Sequence, residues 1–437
     1  MQSQITAKNI LLYLYCFSTT ALVAGTIYGY PALRRKLQKL GTKITEEELA
    51  ACYTAGAWSV QGGRLLFGIM RDKYGTRKIA LISFSCVICG ACGIAFMDYS
   101  NKVLLGVSLF LLGLGSGAQL SVQPVAQIFP RNNALFMSGL SGSFQISGVV
   151  FAMLVSVSDL EGSSLKTAFL AYALAVVFMA VLGMWMLPLG ASFVKKEDLE
   201  EKARVDSIVE VDGKMKVHLT GFEQMKTKEF VGLTIWFTVL VTPFQYYVGS
   251  IGWHLERLGD DDGTMTNAFA YVYGLAAVFA PIGGMCADAF GLGVTMAVAS
   301  VAVGMSFFVL EMDIELEAHS AGMVLYAVGR LICFAMFFSA IGKMFGYKYY
   351  GVLAGVGLFT SAVVSTLQYP LIEIAVDGNY KVSNYACGFG CFLAISYCVY
   401  VYMLERAGLD SFERLKFKRV AMKVDDFDPR QDDDDKK

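Results

Sequence analysis

Long apolar runs recur along almost the whole chain, and they constrain its fold more than any other feature. A helix needs roughly 20 apolar residues to cross the hydrocarbon core of a bilayer. Runs of that length lie at twelve places, at residues 9–33, 47–71, 77–97, 101–128, 131–157, 165–189, 229–256, 264–289, 291–313, 318–345, 349–374 and 381–404. We therefore expect an all-α membrane protein with twelve transmembrane helices.

The composition supports a membrane protein and argues against other classes. Of the 437 residues, 55% are hydrophobic and only 17% are charged, whereas soluble proteins carry about 25% charged residues. The net charge of −1 predicts no nucleic-acid partner. We expect a multi-pass protein of the plasma membrane or an internal membrane. Its expected partners are the lipid bilayer and a small-molecule solute, and we expect it to function as a monomer.

The chain carries no pattern that is typical of an enzyme or of a metal site. Its ten cysteines lie almost all in apolar segments, so no disulfide framework is indicated. Cys86, Cys89 and Cys92 repeat a C-x-x-C spacing, which on a membrane helix favours small packing residues over metal ligands. The sequence has no G-x-x-x-x-G-K-[ST] phosphate loop and no nucleophile–base pair. We expect no enzymatic activity, cofactor or metal, and no process driven by ATP.

A charged stretch divides the twelve runs into two sets of six. We predict an N-terminal six-helix bundle at 1–189, a cytosolic linker at 190–228, a C-terminal six-helix bundle at 229–404 and a cytosolic tail at 405–437. Most Lys and Arg residues outside the runs fall on the side that holds both termini, so the positive-inside rule places both termini in the cytosol. The basic first outer loop, LRRKLQKLGTK, opposes this orientation.

Three residues at the end of the second run recur in the second half of the chain. At a constant offset of 216 residues, Gly68, Asp72 and Gly75 correspond to Gly284, Asp288 and Gly291, and Gly139 corresponds to Gly355. An aspartate shared at the same helix end indicates that the halves are parallel structural repeats. Such repeats are typical of transporters that rock around a central site.

Bases surround the first of these aspartates. Arg71, Lys73, Arg77 and Lys78 fit the cytosolic side, and the positive-inside rule alone is sufficient to explain them. An acid at a helix end can also bind the terminus of a neighbouring helix. We therefore predict a conformational latch that holds one state and breaks in the other. Its predicted members are Gly68, Asp72, Lys73, Gly75, Arg77, Lys78 and Asp288.

This stretch resembles the loop signature of the major facilitator superfamily, G-x-x-x-D-[RK]-x-G-x-[RK]-[RK]. The chain departs from it at Arg71, where a small residue is usual, and at Thr76, where another base is common. The second-half copy keeps both glycines and Asp288 but has lost every base. The resemblance implies two six-helix bundles, with spans one, four, seven and ten lining a central cavity.

Shorter pieces are similar to solute carrier family 43 and its relatives. They are GTIYGYPAL at 25–33, IFPR at 128–131 and LQYPL at 367–371, with partial likeness in FQYYVGS at 244–250. That resemblance implies facilitative transport of large neutral amino acids.

Two arginines lie inside the predicted spans, where a charge is costly and usually faces a cavity. Arg330 lies near the middle of the tenth span and can clamp a substrate carboxylate. The alternative for Arg330 is a structural hydrogen bond to backbone carbonyls. Arg64 lies in the inner half of the second span, from which its side chain can also reach the membrane surface.

Neutral polar residues provide further candidates for substrate binding. Gln119 and Gln123 share one helix face with Gln127, although interhelical hydrogen bonds would explain them equally. Proline and glycine near the middle of span seven can free backbone groups for a solute. The candidates in that span and in span one are Gln245, Tyr246, Ser250 and Thr20.

No Asp or Glu lies deep in any predicted span, which favours a uniporter or an exchanger over a proton-coupled carrier. We expect a secondary transporter of a small polar solute by alternating access, with a neutral amino acid as the first hypothesis. An organic or inorganic anion exchanger of the same fold is the alternative, because no buried acid neutralises Arg64 and Arg330. A non-transporting membrane receptor on this scaffold is a third hypothesis.

Overall fold

The computed structural model describes residues 6–98, 100–194 and 220–407, and almost all of this part is helical. Helix α1 runs over Ala7–Val23 and bends by 45° into Thr26–Lys39. Helix α2 is Glu46–Tyr74. The helices that follow before residue 194 are α3 Thr76–Phe96, α4 Lys102–Ile128, α5 Pro130–Ser158 and α6 Leu165–Met186.

The second half of the chain repeats this sequence of long helices. A short helix, Gly221–Met225, precedes them. They are α7 Lys228–Arg257, α8 Thr264–Phe290, α9 Leu292–Leu310, α10 Leu316–Phe345, α11 Tyr350–Ile374 and α12 Asp377–Arg406.

Most of these helices have the length and composition to cross a membrane. Within the described residues, ten pass on both criteria, and the bent α1 makes an eleventh if its two parts form one span. Helix α2 is long enough to cross a membrane, with 29 residues, but it is not among the ten. Three glutamates begin it, and four further charged residues lie along it, namely Arg64, Arg71, Asp72 and Lys73. The all-α membrane fold is thus confirmed, while the full count of twelve spans stays a prediction.

Side chains at the helix starts explain where several helices begin. Thr45 and Glu48 form a reciprocal capping box at the start of α2, which satisfies amide groups that a helix leaves unpaired. Asn101, Ser164 and Thr227 each accept a hydrogen bond from a backbone N–H of the first turn of α4, α6 and α7, respectively. These caps lie at or just before the starts of predicted apolar runs.

Buried apolar residues form two clusters that follow the two halves of the chain. One cluster draws on residues between Tyr15 and Leu187. The other draws mainly on residues between Phe230 and Val401, with four contributions from α4 and α5. The contributors from the first half mark where the two clusters meet.

The repeat predicted from the sequence has a structural counterpart at the turns that follow α2 and α8. Gly75 has φ 94° and ψ 160°, and Gly291 has φ 96° and ψ 162°. Only glycine adopts such a backbone conformation at little cost. Each glycine ends one helix and begins the next, so the same sharp turn joins α2 to α3 and α8 to α9.

The domain boundaries and the orientation in the membrane stay predictions. The predicted linker, 190–228, is described only at its two ends, because residues 195–219 lie outside the described part. The predicted tail, 405–437, lies outside it beyond residue 407. We refer below to the end of the molecule that carries Asp72 and Asp288 as the basic end, and to the other as the opposite end.

Candidate functional site

A small cavity lies between the two halves of the molecule. Its described lining comes from α2, α4, α5 and α10, and its free volume is about 10 Å3. That volume is about what one water molecule requires, so the cavity is too small to hold a solute in the state described here. The lining residues are Arg64, Gln119, Ser141, Phe144, Gln145, Arg330, Leu331, Phe334 and Phe338.

Arg64 lies on α2 and is almost fully buried. Its Nη2 donates a hydrogen bond to Gln119 Oε1 at 2.7 Å, and its Nη1 donates a longer bond to Gln61 Oε1 at 3.4 Å. The guanidinium carbon lies 4.2 Å from the centre of the Phe144 ring, in a cation–π contact. Arg64 therefore faces the cavity and does not reach the membrane surface.

Arg330 reaches the same cavity from α10 in the second half. Its Nη1 donates to Gln145 Oε1 at 3.1 Å, so an arginine of one half binds an amide of the other. The guanidinium carbon lies 4.9 Å from the Phe334 ring centre and 5.0 Å from that of Tyr273. The Gln145 nitrogen in turn donates to the carbonyl of Tyr273 at 3.3 Å.

The electrostatics of the cavity follow from these two arginines. No aspartate or glutamate is among the lining residues in the described part of the chain. Charges held away from water are costly unless they are paired. The cavity therefore favours a ligand that is anionic or rich in hydrogen-bond acceptors.

The predicted site residues divide into two groups. Arg64, Arg330 and Gln119 come together in the cavity. Gln123 instead donates from its amide nitrogen to the Met137 carbonyl at 3.3 Å, and Thr20 donates to the Cys16 carbonyl at 3.0 Å. Both contacts are structural hydrogen bonds within the first half.

The candidates on α7 lie away from the cavity lining. Tyr246 donates from its hydroxyl to Asn384 Oδ1 at 3.0 Å, so its side chain points toward α12. Ser250 donates to the carbonyl of Tyr246 at 2.8 Å, which satisfies it within its own helix. Gln245 is half-buried and is not among the lining residues.

Several lining residues did not stand out in the sequence. Gln145 and Ser141 lie on the serine- and glycine-rich stretch of α5, a composition typical of close packing between membrane helices. Their spacing of four residues places them on one helix face. That spacing, in a span with a glutamine near its middle, is the sequence signal that could have identified them as cavity residues. In the sequence, Phe144, Phe334 and Phe338 cannot be told from phenylalanines that face lipid.

Asp72 joins the two halves at the basic end. Its carboxylate accepts hydrogen bonds from the backbone nitrogens of Gly351 at 3.2 Å and Val352 at 2.8 Å. Both nitrogens belong to the first turn of α11, where unpaired N–H groups and the helix dipole favour a negative charge. Gly68 allows this contact, because a Cβ atom there would overlap the Gly351 carbonyl oxygen.

Asp288 makes the equivalent contact from the second half. Its carboxylate accepts from the backbone nitrogens of Ala134 at 3.1 Å and Leu135 at 3.0 Å. These nitrogens lie in the first turn of the α-helical part of α5. Gly284 provides the close approach here, since a Cβ atom would lie 2.5 Å from the Ala134 oxygen.

The predicted basic members of the latch have different positions. Arg77 donates from Nε to the Leu187 carbonyl at 2.7 Å, within the first half. Lys73 and Lys78 are exposed. The base in contact with Asp72 is Arg71, which is fully buried and lies 2.8 Å from the carboxylate.

Arg71 and a neighbouring tyrosine extend this contact between the halves. Arg71 also donates to the carbonyls of Tyr347, at 3.4 Å, and Ala191. The Tyr347 hydroxyl accepts a hydrogen bond from Asn133 Nδ2 at 2.6 Å. Tyr347 therefore links residues near both aspartates, and the basic end is closed in this state.

One relative has a sequence that aligns with most of this chain. "Equilibrative nucleobase transporter 1" of Bos taurus is 20% identical over 390 residues, which covers 76% of this chain and 78% of that protein. That relative is named for nucleobases, so it lends no support to the amino acid substrate implied by the second resemblance.

Solved structures show the same fold at low sequence identity. The proton:xylose symporter XylE, bound to 6-bromo-6-deoxy-D-glucose, matches with a TM-score of 0.66 at 12% identity, covering 90% of this chain and 95% of that one. FucP in the outward conformation matches with a TM-score of 0.62 at 12% identity, covering 90% and 99%.

The family model of the Major Facilitator Superfamily matches residues 14–368, which is most of the chain. Together with the apolar helices, this match makes the protein a multi-pass integral membrane protein with the fold of a transporter. The chain belongs to the Major Facilitator Superfamily.

Proposed function

We propose that the protein is a facilitative carrier of nucleobases, or of similarly small, flat and uncharged heterocycles. The observation that carries this proposal is the set of side chains around the closed cavity, where two arginines and two glutamines lie among three phenylalanine rings. The cavity would widen to admit the solute when one end of the molecule opens. Alternating access between the two halves would move the solute across the membrane.

The chemistry of the lining suits a flat heterocycle. Aromatic side chains stack on bases with little dependence on which base it is. Phe144, Phe334 and Phe338 line the cavity, where the Phe144 and Phe334 rings also contact the guanidinium groups of Arg64 and Arg330. Arginine binds adjacent acceptors at the edge of a base with two parallel hydrogen bonds. The similarity to the bovine nucleobase transporter supports the same class of substrate.

The neutral amino acid expected from the sequence fits this cavity less well. Its carboxylate could bind Arg330, but its ammonium group needs an acceptor. The described lining holds no carboxylate, and both amide oxygens already accept from arginines. Ser141 offers one hydroxyl acceptor, whereas an ammonium group has three N–H donors. An unpaired ammonium beside two guanidinium groups is unfavourable.

An anion exchanger remains a second candidate, and one observation favours it. Arg64 and Arg330 line the same cavity, and no acidic side chain of the described lining neutralises them. An anion with two or more oxygens could bind both guanidinium groups. The uptake experiment below separates this candidate from the first.

The contacts of the latch would be made in one state of the carrier and broken in the other. We propose that the basic end faces the cytosol and that the contacts of Asp72 and Asp288 keep it closed. Breaking both contacts would free the first turns of α11 and α5 and open the cavity to the cytosol. Because the described lining lacks an acid that could carry a proton, transport would follow the solute gradient alone.

Uptake into proteoliposomes of the purified full chain tests the proposal. The solutes are radiolabelled hypoxanthine, adenine, leucine and a dicarboxylate, each with and without a pH gradient, and protein-free vesicles are the control. We expect saturable uptake of a purine that the gradient does not change. Uptake of leucine alone or the dicarboxylate alone would refute the nucleobase proposal, and the dicarboxylate result would establish the anion exchanger.

A further inference from the structure

We infer that the cavity selects 6-oxopurines, such as hypoxanthine, over 6-aminopurines, such as adenine. This inference rests on the proposed function and deepens it, because it names the substrate class that the site prefers. It follows from which hydrogen-bonding atoms of the cavity are already occupied.

The amide oxygens of the cavity are occupied by arginines. Gln119 Oε1 accepts from Arg64 at 2.7 Å, and Gln145 Oε1 accepts from Arg330 at 3.1 Å. A guanidinium group only donates, so the oxygen of each amide must face its arginine. A second donor at either oxygen would lie beside a cation, which is unfavourable for a ligand amino group.

Donors, by contrast, remain available. The Nε atoms of Arg64 and Arg330 are buried and have no hydrogen-bond partner among the described residues. Buried donors without partners are costly, and more so when they are charged. A ligand acceptor that reaches these groups removes that cost, whereas a ligand donor leaves it in place.

Ser141 is the one hydroxyl in the described lining, and its proton is in use. It donates to the Met137 carbonyl at 3.2 Å, so its oxygen can accept one hydrogen bond from a ligand N–H. The cavity thus presents two cationic donor groups and a single neutral hydroxyl acceptor.

A 6-oxopurine matches this arrangement. It presents O6 and N7 as adjacent acceptors, the pair to which an arginine binds with two hydrogen bonds. Its ring N–H can meet a single acceptor such as Ser141. In adenine an amino donor replaces O6 and would face a cation, while the ring would stack on the phenylalanines equally well.

The discrimination therefore depends on one edge of the base. A two-bond contact between arginine and the correct base edge is worth about 5- to 150-fold in preference. We expect the kcat/KM of hypoxanthine uptake to exceed that of adenine by a factor in this range. The two purines have nearly the same size and are both uncharged at neutral pH, so they form a matched pair.

The test uses the wild-type full chain in proteoliposomes and measures kcat/KM for each labelled purine in the same preparation. A ratio at or below one, with saturable uptake of adenine, would overturn the selectivity inference and leave the proposed function standing. Uptake of neither purine above protein-free vesicles would overturn both, so the two failures are distinguishable.

A variant tests the origin of the ratio. Gln145→Glu places a carboxylate beside Arg330 and adds acceptors to the cavity, so we expect the hypoxanthine-to-adenine ratio to fall at least threefold. Gln368→Glu makes the same change on α11, outside the described lining, and should leave the ratio unchanged. Because both purines are measured on one preparation, partial misfolding cancels, and an unchanged ratio in Gln145→Glu would contradict the inference.

Discussion

The carboxylate of Asp72 lies 2.8 Å from the backbone nitrogen of Val352, which follows it by 280 residues. This hydrogen bond joins the last turns of α2 to the first turn of α11 and so ties the two halves together at the basic end. Asp288 makes the same kind of contact from α8 to α5. Two carboxylates at two helix starts thus bridge the two halves at the basic end.

Asp72→Asn should slow transport more than it weakens substrate binding. The amide keeps the size of the side chain but loses the charge that favours a helix N-terminus, and charge-assisted bonds are worth about 1.5–3 kcal/mol. We expect the maximal uptake rate to fall about tenfold with a change in KM below threefold. Initial rates over a range of purine concentrations measure both.

Asp288→Asn is the matched variant on the other half and should show the same pattern. A loss of affinity equal to the loss of rate in either variant would argue against a latch.

Gly68→Ala should prevent the basic end from closing. The added Cβ atom would overlap the Gly351 carbonyl oxygen, and packed helix backbones cannot absorb such an overlap without moving apart. We expect uptake below a tenth of the wild-type rate, with the protein still folded by its elution profile in detergent. A cysteine pair across the basic end, probed by crosslinking, would report the separation directly.

Gly62→Ala is the control on the same helix, because a Cβ atom there meets nothing within 4 Å. Alanine also favours the helix by up to about 1 kcal/mol. Normal uptake in Gly62→Ala and loss in Gly68→Ala would locate the effect at the contact with α11; equal activity in both would exclude the steric role.

Arg330→Lys should weaken purine binding while the fold persists. Lysine keeps the charge but cannot form two parallel hydrogen bonds or present a planar cation to the Phe334 and Tyr273 rings. We expect kcat/KM for hypoxanthine to fall about 10- to 100-fold, measured by initial uptake. An unchanged value would remove Arg330 from the site.

Asp260 should stabilise the opposite end of the second half. Its carboxylate accepts from the backbone nitrogens of Met265 and Thr266, both at 2.8 Å, and from the Thr266 hydroxyl at 2.8 Å. It therefore holds the first turn of α8, and Asp260→Ala should cost about 1–2 kcal/mol of stability. Thermal unfolding in detergent measures the loss, and the exposed neighbour Asp261→Ala is the control.

The contribution of Asp260 should depend on pH. Burial opposes ionisation, but the hydrogen bonds from Met265 and Thr266 outweigh it and lower the pKa of the Asp260 carboxyl. A lowered folded-state pKa gives stability that is complete above the unfolded value of about 3.9 and is lost as pH falls through the folded value. The difference in melting temperature between wild type and Asp260→Ala should be constant from pH 8 to about 5 and shrink below about 4.

Much of the fold could be predicted from the sequence, because the bilayer fixes how long an apolar run must be. The matching positions of Asp72 and Asp288 at helix ends could also be predicted, since their turns repeat with the same glycine positions, while their role as a latch stays a prediction. The cavity was harder. Periodicity shows which residues share a helix face, but not which neighbour that face meets, so Tyr246 was expected at the cavity and binds Asn384 instead.

The partner of Arg330 was missed for a related reason. Gln145 belongs to the other half of the chain, 185 residues away, and its serine- and glycine-rich surroundings are typical of tight packing between membrane helices. Only the relative rotation of α5 and α10 brings the two side chains together. That rotation depends on the packing of all the neighbouring helices, which no local pattern encodes.

Counterflow in proteoliposomes tests most directly whether this protein is a carrier of purines. Vesicles preloaded with unlabelled hypoxanthine are diluted into a trace of labelled hypoxanthine, and the label inside is followed with time. The account predicts a transient accumulation of label above its external concentration, because the excess of unlabelled purine inside competes for the carrier and slows the exit of the labelled purine. A time course that matches protein-free vesicles would contradict it.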